Sequence, residues 1–191
     1  MVIVEVLLIW QLVCEELRTM LDKAHAGEMN VILDYVANHL HINSPVLQEH
    51  PDWTTELMLP DGRKNIGLWD GETRLTTWFD EHIPTLDTRR EEVCDPMTDT
   101  ALYWVRNFDF DGYRHDACKH IPLNYWRMLT HKMKSEMPDR QLWQIGETYG
   151  DVELIGSYVK TGMIDAQFDF NLYHTSRDVI VDENRSMRDI A

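Results

Sequence analysis

An arginine and an aspartate lie two residues apart in the segment Gly112-Tyr-Arg-His-Asp116. Side chains alternate along a β-strand, so Arg114 and Asp116 are expected on one face and Tyr113 and His115 on the other. A guanidinium group beside a carboxylate favours its charged form. The pattern predicts that Asp116 is ionised and suited to act as a nucleophile, with a structural ion pair as the alternative.

A second carboxyl group, that of Glu147, follows Trp143 and Ile145 on one face of another expected strand. Apolar neighbours of this kind predict a desolvated carboxyl group that stays protonated and can donate a proton. Glycoside cleavage uses one charged and one protonated carboxyl group. A glutamate at a strand end can also be a cap or a salt-bridge residue, and its pairing with Asp116 favours the catalytic interpretation.

The elements that would position these acids alternate between helix and strand. Apolar runs predict strands at 30–36, 112–118, 142–148 and 163–170, the first of them covered on both faces. Helices are predicted over 11–25, from Asp95-Pro96 onward, and between Pro122 and Pro138. Residues 1–10 are interpreted as a buried strand or a displaced chain start. This order predicts an α/β fold with both acids at the carboxyl ends of strands, where (β/α)8 barrels place catalytic groups.

Residues 40–95 differ from the rest, with four prolines, three tryptophans and no sustained period. They predict a small irregular subdomain inserted after one barrel strand. Residues 1–39 and 96–191 are then a partial (β/α)8 TIM barrel of four or five strands, because a complete barrel needs about 250 residues.

Composition restricts the partners. The formal net charge is −15, which repels phosphate backbones and predicts no nucleic-acid partner. The apolar start is shorter than the roughly 20 residues of a membrane helix, so no membrane partner is expected, and it shows no recognisable signal peptide. Cys14, Cys94 and Cys118 lie far apart and indicate neither a disulfide framework nor a thiolate zinc site. The compartment stays open.

Four segments resemble signature regions of the alpha-amylase superfamily, glycoside hydrolase family 13. They are Val31-Ile-Leu-Asp-Tyr-Val-Ala-Asn-His39, Asp111-Gly-Tyr-Arg-His-Asp-Ala-Cys-Lys-His120, Gln144-Ile-Gly-Glu147 and, within the insertion, Ile83-Pro-Thr-Leu-Asp87. The resemblance implies that Asp116 is the nucleophile, Glu147 the general acid/base and Arg114 the partner that positions Asp116. It also implies that His39 touches the sugar, that Asp34 supports the site, and that Lys119 and His120 face the sugars beyond the scissile bond.

The sequence departs from the family pattern in two functional regions. No strand ending in His-Asp, the family's fourth region, occurs after Asp169, so little activity is expected from this chain. In the inserted motif Thr85 stands where many members have an aspartate that binds calcium. The resemblance leaves Asn38 and the His120 carbonyl as candidate calcium ligands, and the chemistry itself requires no cofactor. A hydroxyl in place of a carboxylate lowers the charge and affinity of such a site.

Aromatic side chains supply candidate sugar-stacking surfaces, since apolar C–H faces of sugars pack on rings. The candidates are Trp53, Trp69, Trp78 and Tyr149, and most are expected to belong to the core of the insertion.

Together these features predict a retaining glycoside hydrolase acting on α-glucosidic linkages of an α-glucan or malto-oligosaccharide. Carboxyl groups about 5 to 5.5 Å apart would fit retention. Three alternatives remain: an α-glucosyl transferase of the same superfamily, a non-catalytic carbohydrate-binding remnant, and a barrel-type metal-dependent hydrolase using His115, Asp116 and His120.

Overall fold

The computed structural model describes residues 2–182 and 184–190, with side chains for 11–182 and 184–188. Its helices are Val2–Ala26 (α1), Pro45–Glu49 (α2), Glu91–Asn107 (α3), Leu123–Glu136 (α4), Val152–Tyr158 (α5) and Phe170–Val181 (α6). Its strands are Ile32–Tyr35 (β1), Gly112–His115 (β2), Trp143–Gly146 (β3) and Ala166–Gln167 (β4). Short 3-10 turns occupy Pro51–Trp53, Gly71–Leu75, Cys118–His120 and Met187–Ile190.

The four strands form one parallel sheet in the order β1-β2-β3-β4. Each strand pairs with the next one along the chain, and a helix-containing connection separates them, which is the pattern of consecutive units in a (β/α)8 barrel. Gly112 starts β2 at a φ of 149°, and a Cβ there would lie 1.9 Å from the Trp143 carbonyl oxygen. Only glycine therefore allows β3 to approach β2 at this point. The predicted α/β fold and partial barrel are confirmed.

The two faces of β2 have different surroundings. Tyr113 and His115 are fully buried against the helices, where the Tyr113 hydroxyl donates to the Ala101 carbonyl of α3 at 2.6 Å. The His115 ring lies 4.7 Å from that of Trp126 on α4. Arg114 lies on the opposite face, so the predicted alternation is confirmed. Packing of α3 and α4 on one face leaves the other face free to carry charge.

Helix α4 follows its sequence pattern closely. Pro122 precedes the first turn, where its missing N–H removes nothing from the helix. Its apolar stripe is buried at Trp126 and Leu129, with 0% exposure, and at Met133, with 4%, whereas Met137 just beyond the helix is half-buried. This stripe packs between the sheet and α3 and thereby holds β2 and β3 in place.

Helix α3 begins earlier than predicted. The expected start at Asp95-Pro96 is wrong, because the helix runs from Glu91 and contains Pro96 in its second turn. Proline in a helix removes one hydrogen bond. Val93 and Cys94 are fully buried in the added turn, and their burial offsets that loss.

The chain start also differs from its prediction. Residues 2–10 belong to α1 and not to a strand, and their side chains lie outside the described residues. An apolar run of this length does not by itself distinguish helix from strand. The run continues into the amphipathic stretch 11–25, and one helix covers both before ending at Ala26.

Two strands are less extensive than predicted. Strand β1 is not covered on both faces, since Ile32 is 36% exposed and Asp34 is also exposed. Only Ala166–Gln167 of the expected strand 163–170 forms β4, and Phe170 starts α6. The Asp169 carboxylate accepts the Leu172 N–H at 2.9 Å, an N-cap that ends the extended segment.

The segment between β1 and α3 is irregular, as its composition predicts. Apart from α2 and two 3-10 turns it is held by isolated bridges such as His39 with Thr85 and Ile66 with Trp78. Within the described part of the chain, no helix combines the length and apolar character needed to cross a bilayer.

The buried His115 predicts a pH-dependent stability. Burial lowers the pKa of His115 to about 4, whereas an unfolded histidine titrates near 6.5. The unfolded state takes up the proton first as pH falls, so this contribution is present above pH 6.5 and is lost towards pH 4. Between pH 7 and 5 the free energy of unfolding should fall by about 2 kcal/mol from this group. Urea denaturation of His115→Phe should lack that share, unlike the control His131→Phe at an exposed position of α4. Parallel pH curves for the two variants would contradict the assignment.

Candidate active site

Arg114 joins three carboxylates that come from three neighbouring strand ends. Its Nη1 lies 2.8 Å from Asp34 Oδ1 and 2.8 Å from Asp116 Oδ1, and its Nη2 lies 2.7 Å from Glu147 Oε2. Burial lowers the pKa of Arg114, but its hydrogen bonds to Asp116 and Asp34 and the negative charge of Glu147 outweigh burial, so the pKa is raised overall. One guanidinium group thus contacts three carboxyl groups.

Backbone pairing sets this geometry. Asp34 and Arg114 are register partners across β1 and β2. The Asp116 N–H donates to the Tyr35 carbonyl at 3.0 Å, and the Glu147 N–H donates to the His115 carbonyl at 2.9 Å. The parallel ladder therefore continues one residue beyond β2 and β3 and brings both acids to the same edge of the sheet.

The expected apolar surrounding of Glu147 is wrong. Trp143 is 46% exposed, and the Glu147 carboxylate contacts the Arg114 guanidinium instead of an apolar wall. The prediction followed alternation along β3 alone, whereas the cation reaches Glu147 from the neighbouring strand β2. An ion pair of this kind favours the charged form of a carboxyl group.

A cleft of about 200 Å³ opens above the acids. Its lining residues are Phe79, Asp116, Ala117, Lys119, His120, Glu147 and Tyr149. Five of the residues predicted to act in catalysis or substrate binding therefore meet at one place. Arg114 reaches the cleft indirectly, through its contacts with Asp116 and Glu147, and Asp34 is linked to the cleft through Arg114.

His39 lies beside the acids, just beyond β1. Burial lowers the pKa of His39, and the negative charge of Asp116 opposes this effect. Its ring centroid lies 4.8 Å from that of Phe79. His39 is thus close enough to Asp116 to feel its charge and contacts the ring that lines the cleft.

Lys119 and His120 clamp the insertion onto the turn after β2. The Lys119 ammonium group lies 2.9 Å from Asp70 Oδ1, and the His120 Nδ1–H donates to the Arg74 carbonyl at 2.7 Å. The Arg74 guanidinium donates in return to the Lys119 carbonyl and to the Tyr158 hydroxyl. Burial lowers the pKa of His120 to about 4, although the hydrogen bond with the Arg74 carbonyl opposes this effect. His120 is therefore neutral at pH 7.

Two of the four aromatic candidates, Tyr149 and Trp78, have different positions. Tyr149 is 54% exposed, lines the cleft and stacks on Phe170 with centroids 4.6 Å apart. The Trp78 indole N–H donates to the Thr55 carbonyl and hydroxyl, each at 3.0 Å, within the insertion. Among the described residues that line the cleft, the insertion contributes Phe79 and not Trp78.

Sequence reasoning missed Phe79, Asp70 and Arg74. The available signal for Phe79 was its position directly after the candidate Trp78, as a second ring in the insertion. Asp70 and Arg74 lack such a signal, because their partners are 45 or more residues away along the chain.

The groups considered for metal binding make other contacts. His115 is buried on the helix face, with Nε2 3.1 Å from Gln144 Oε1, so it does not join Asp116 and His120. The Asn38 side-chain amide donates to the Thr85 hydroxyl at 3.3 Å, and that hydroxyl donates to the Thr77 carbonyl at 2.6 Å. Among the residues whose side chains are described, 11–182 and 184–188, no three His, Cys, Asp or Glu side chains form a group able to hold a metal ion. The Thr85 hydroxyl is neutral and already paired with Asn38 and with the Thr77 carbonyl, so it does not supply the charged oxygen of a carboxylate calcium ligand.

A larger cavity of about 530 Å³ lies elsewhere, between the end of α4 and the start of β3. Met133, Met137 and Leu142 line it together with Arg140. It lies at the amino-terminal side of the strands and contains neither candidate catalytic acid. In α/β barrels the chemistry lies at the opposite edge, and the smaller cleft is therefore the candidate active site.

Comparisons with known proteins agree with this geometry. The chain is 27% identical over 178 residues to alpha-amylase 2 of Dictyoglomus thermophilum, a match covering 92% of the chain and 30% of that protein. It is 28% identical to the intracellular maltogenic amylase of Bacillus subtilis, covering 73% of the chain and 24% of that protein. The crystal structure of an alpha-amylase from Geobacillus thermoleovorans complexed with acarbose matches with a TM-score of 0.77 at 30% identity, covering 93% of the chain and 38% of that structure.

The chain spans well under half the length of these relatives. The family model described as the alpha-amylase catalytic domain matches residues 64–191, which is more than half of the chain. This stretch contains Phe79 of the insertion, both candidate catalytic acids and β2 to β4. The chain therefore belongs to the alpha-amylase catalytic-domain family.

Proposed function

We propose that this protein cleaves α-glucosidic linkages of α-glucans or malto-oligosaccharides with retention of configuration. The observation that carries the proposal is the meeting of Asp116 and Glu147 on the two terminal nitrogens of Arg114, at the base of a ring-lined cleft. Support also comes from the relatives, which are named alpha-amylase and maltogenic amylase.

Asp116 is the proposed nucleophile. Its hydrogen bond with Arg114 at 2.8 Å holds the carboxylate in position to attack the anomeric carbon. Glu147 donates a proton to the departing glycosidic oxygen. It then removes a proton from the water that releases the sugar.

The contact of Glu147 with Arg114 has a consequence for the first step. A proton donor has to be protonated, yet the neighbouring guanidinium favours a charged carboxylate. Entry of a sugar between the two groups would replace part of this ion pair and remove water, and both changes favour the protonated acid. Contact of both carboxyl groups with one guanidinium supports a short separation between them, which retaining enzymes require.

The alternatives are separated by observations on the same site. The metal-dependent hydrolase is disfavoured because His115 faces the helices and bonds to Gln144. A glucosyl transferase would use the same acids and differ in the acceptor. We further propose that residues 1–191 by themselves cleave α-glucosidic linkages only slowly, because no counterpart of the fourth signature region follows Asp169. A binding remnant would keep the cleft and show no turnover.

Replacement of either acid should abolish most of the sugar release. Asp116→Asn and Glu147→Gln should each lower the rate of maltotriose cleavage by about 10²–10⁴-fold, the usual contribution of a positioned acid or nucleophile. On p-nitrophenyl α-maltoside, whose leaving group needs little protonation, Asp116→Asn should lose far more activity than Glu147→Gln.

The matched control is Glu153→Gln, an exposed carboxylate on α5. The cleavage rates of this variant should equal those of the unchanged protein. In both proteins, NMR should show that the first sugar released is the α-anomer. Unaltered cleavage by Asp116→Asn, or a β-anomeric first product, would refute the mechanism.

We also propose that the junction between insertion and barrel needs no calcium. Arg74 already ties the insertion to the Lys119 carbonyl and the Tyr158 hydroxyl, and Thr85 supplies a hydroxyl engaged with Thr77. No step of the reaction is assigned to a metal.

Chelation of metal ions and replacement of Arg74 should therefore affect the melting temperature differently. EDTA should leave the melting temperature unchanged within about 1 °C, whereas Arg74→Gln should lower it by at least about 3 °C, since hydrogen bonds from a charged donor contribute about 1.5–3 kcal/mol. Arg63→Gln is the control, because that exposed guanidinium pairs with the equally exposed Asp61. A fall in melting temperature with EDTA that calcium reverses would contradict the proposal.

A further inference from the structure

A chain of three hydrogen bonds runs behind the acids, on the helix-covered face of the sheet. His115 Nε2 lies 3.1 Å from Gln144 Oε1, and the Gln144 amide group donates to the Thr130 hydroxyl of α4 at 2.8 Å. That hydroxyl donates in turn to the Met163 carbonyl at 3.3 Å. All three side chains are buried. This buried network of His115, Gln144 and Thr130 therefore connects β2, β3, α4 and the segment before β4.

The direction of each bond in the buried network follows from its far end. Because a carbonyl group can only accept, the Thr130 hydroxyl donates to Met163 and accepts from the Gln144 amide group. The Gln144 oxygen is left to face His115. Burial lowers the pKa of His115 to about 4, so the ring is neutral at pH 7 and donates through Nε2–H. The His115 ring is thus held in one orientation by a directional bond.

Packing alone does not explain a polar ring at position 115. His115 Nδ1 is buried and, among the residues whose side chains are described, has no hydrogen-bond partner. An unpaired buried acceptor destabilises the folded state. The neighbouring ring centroids of Trp126 and Tyr113 lie 4.7 and 5.2 Å away, and an apolar side chain would fill the space between them without this penalty. The bond to Gln144 therefore provides something other than core packing.

The main chain of His115 lies among the groups of the candidate active site. His115 follows Arg114 and precedes Asp116, and its carbonyl accepts the Glu147 N–H at 2.9 Å. Gln144 comes three residues before Glu147 on the neighbouring strand. The bond between the His115 and Gln144 side chains thus links the two strands that carry the acids, close to the ends where the acids lie.

We propose that His115 and Gln144 are positioning residues, whose hydrogen bond sets the relative placement of the Asp116 and Glu147 carboxyl groups. Among the described residues neither lines the cleft, so each acts through the strand that carries one of the acids. Displacement of a reacting group by about 1 Å can lower a rate about 100-fold, so a small slip between β2 and β3 is enough to impair the reaction. The inference rests on the proposed function of the site.

The test measures maltotriose cleavage by variants of the full 191-residue chain. His115→Phe keeps a ring and removes the donor, and Gln144→Met keeps the side-chain length and removes both hydrogen bonds. Each should lower kcat by about 10- to 100-fold and leave KM within about twofold, because the residues that line the cleft are unchanged. His115→Gln places an amide N–H near the position of Nε2 and should restore kcat to within about threefold of the unchanged protein.

Tyr113→Phe is the matched control on the same face of β2. It loses a buried hydrogen bond of 2.6 Å to the Ala101 carbonyl, but that bond links β2 to α3 and not to β3. Its melting temperature should fall while kcat stays the same. A purely structural role for His115 would make His115→Phe behave like Tyr113→Phe. Near-ultraviolet circular dichroism checks that each variant is folded at the temperature of the assay.

Amide hydrogen exchange provides a readout that does not depend on turnover. The Glu147 N–H is protected by the His115 carbonyl, and a slip between the strands exposes it. The Leu129 N–H, inside α4, reports opening of the core and serves as the reference. Relative to this reference, the Glu147 amide should exchange at least about tenfold faster in His115→Phe and Gln144→Met than in Tyr113→Phe.

The outcomes separate this inference from the proposed function. Equal kcat and equal Glu147 exchange in His115→Phe and Tyr113→Phe, with cleavage still dependent on Asp116, would overturn the positioning role alone. Faster Glu147 exchange in His115→Phe, with no cleavage by the unchanged chain that depends on Asp116, would support the positioning and overturn the proposed catalysis. Equal exchange together with no such cleavage would overturn both.

Discussion

The site depends on the charge of one half-buried arginine, Arg114 of β2. Asp34, Asp116 and Glu147 converge within hydrogen-bond distance of the Arg114 guanidinium. Without that cation, three carboxylates at neighbouring strand ends would repel one another, and at least one would have to take up a proton or turn away. The planar fork of arginine can bind carboxylates on both terminal nitrogens, which lysine cannot do. Arg114 is therefore the constraint that holds the proposed nucleophile and the proposed acid together.

The rest of the described structure serves to place this guanidinium and to build a wall above it. Helices α3 and α4 bury Tyr113 and His115 on one face of β2, and alternation then directs Arg114 to the other face. The insertion is seated by Lys119, His120 and Arg74, and it brings Phe79 to the cleft. Core packing and the proposed chemistry thus use separate faces of the same short strand.

Much of this arrangement could be predicted from sequence, because it follows from local period. Alternation in Gly112-Tyr-Arg-His-Asp116 separated Arg114 from His115, and the spacing of strand-helix units placed both acids at one edge. The flanking prolines and the apolar stripe predicted the bounds of α4 to within a few residues. The signature segments indicated the family, and the match of the family model over residues 64–191 confirms it.

The remaining features arise from contacts between distant segments, which a local pattern does not contain. Glu147 was assigned an apolar surrounding from β3 alone, and the cation that reaches it comes from β2. Proline at position 96 indicated a helix start, but burial of Val93 and Cys94 extended α3 backward. Phe79 and Trp78 are adjacent aromatic residues, and the choice between them required the hydrogen bonds of the insertion.

The most direct test of the account is to identify the side chain that becomes glycosylated. An activated 5-fluoro-α-glucosyl fluoride releases fluoride as a carboxylate oxygen bonds to the anomeric carbon, and the fluorine at position 5 slows release by water. Peptide mass spectrometry after a brief reaction should show one fluoroglucosyl unit on Asp116, with more adduct in Glu147→Gln and none in Asp116→Asn. A label on another carboxylate, or fluoride release without any adduct on Asp116, would contradict the central claim that Arg114 holds Asp116 as the nucleophile.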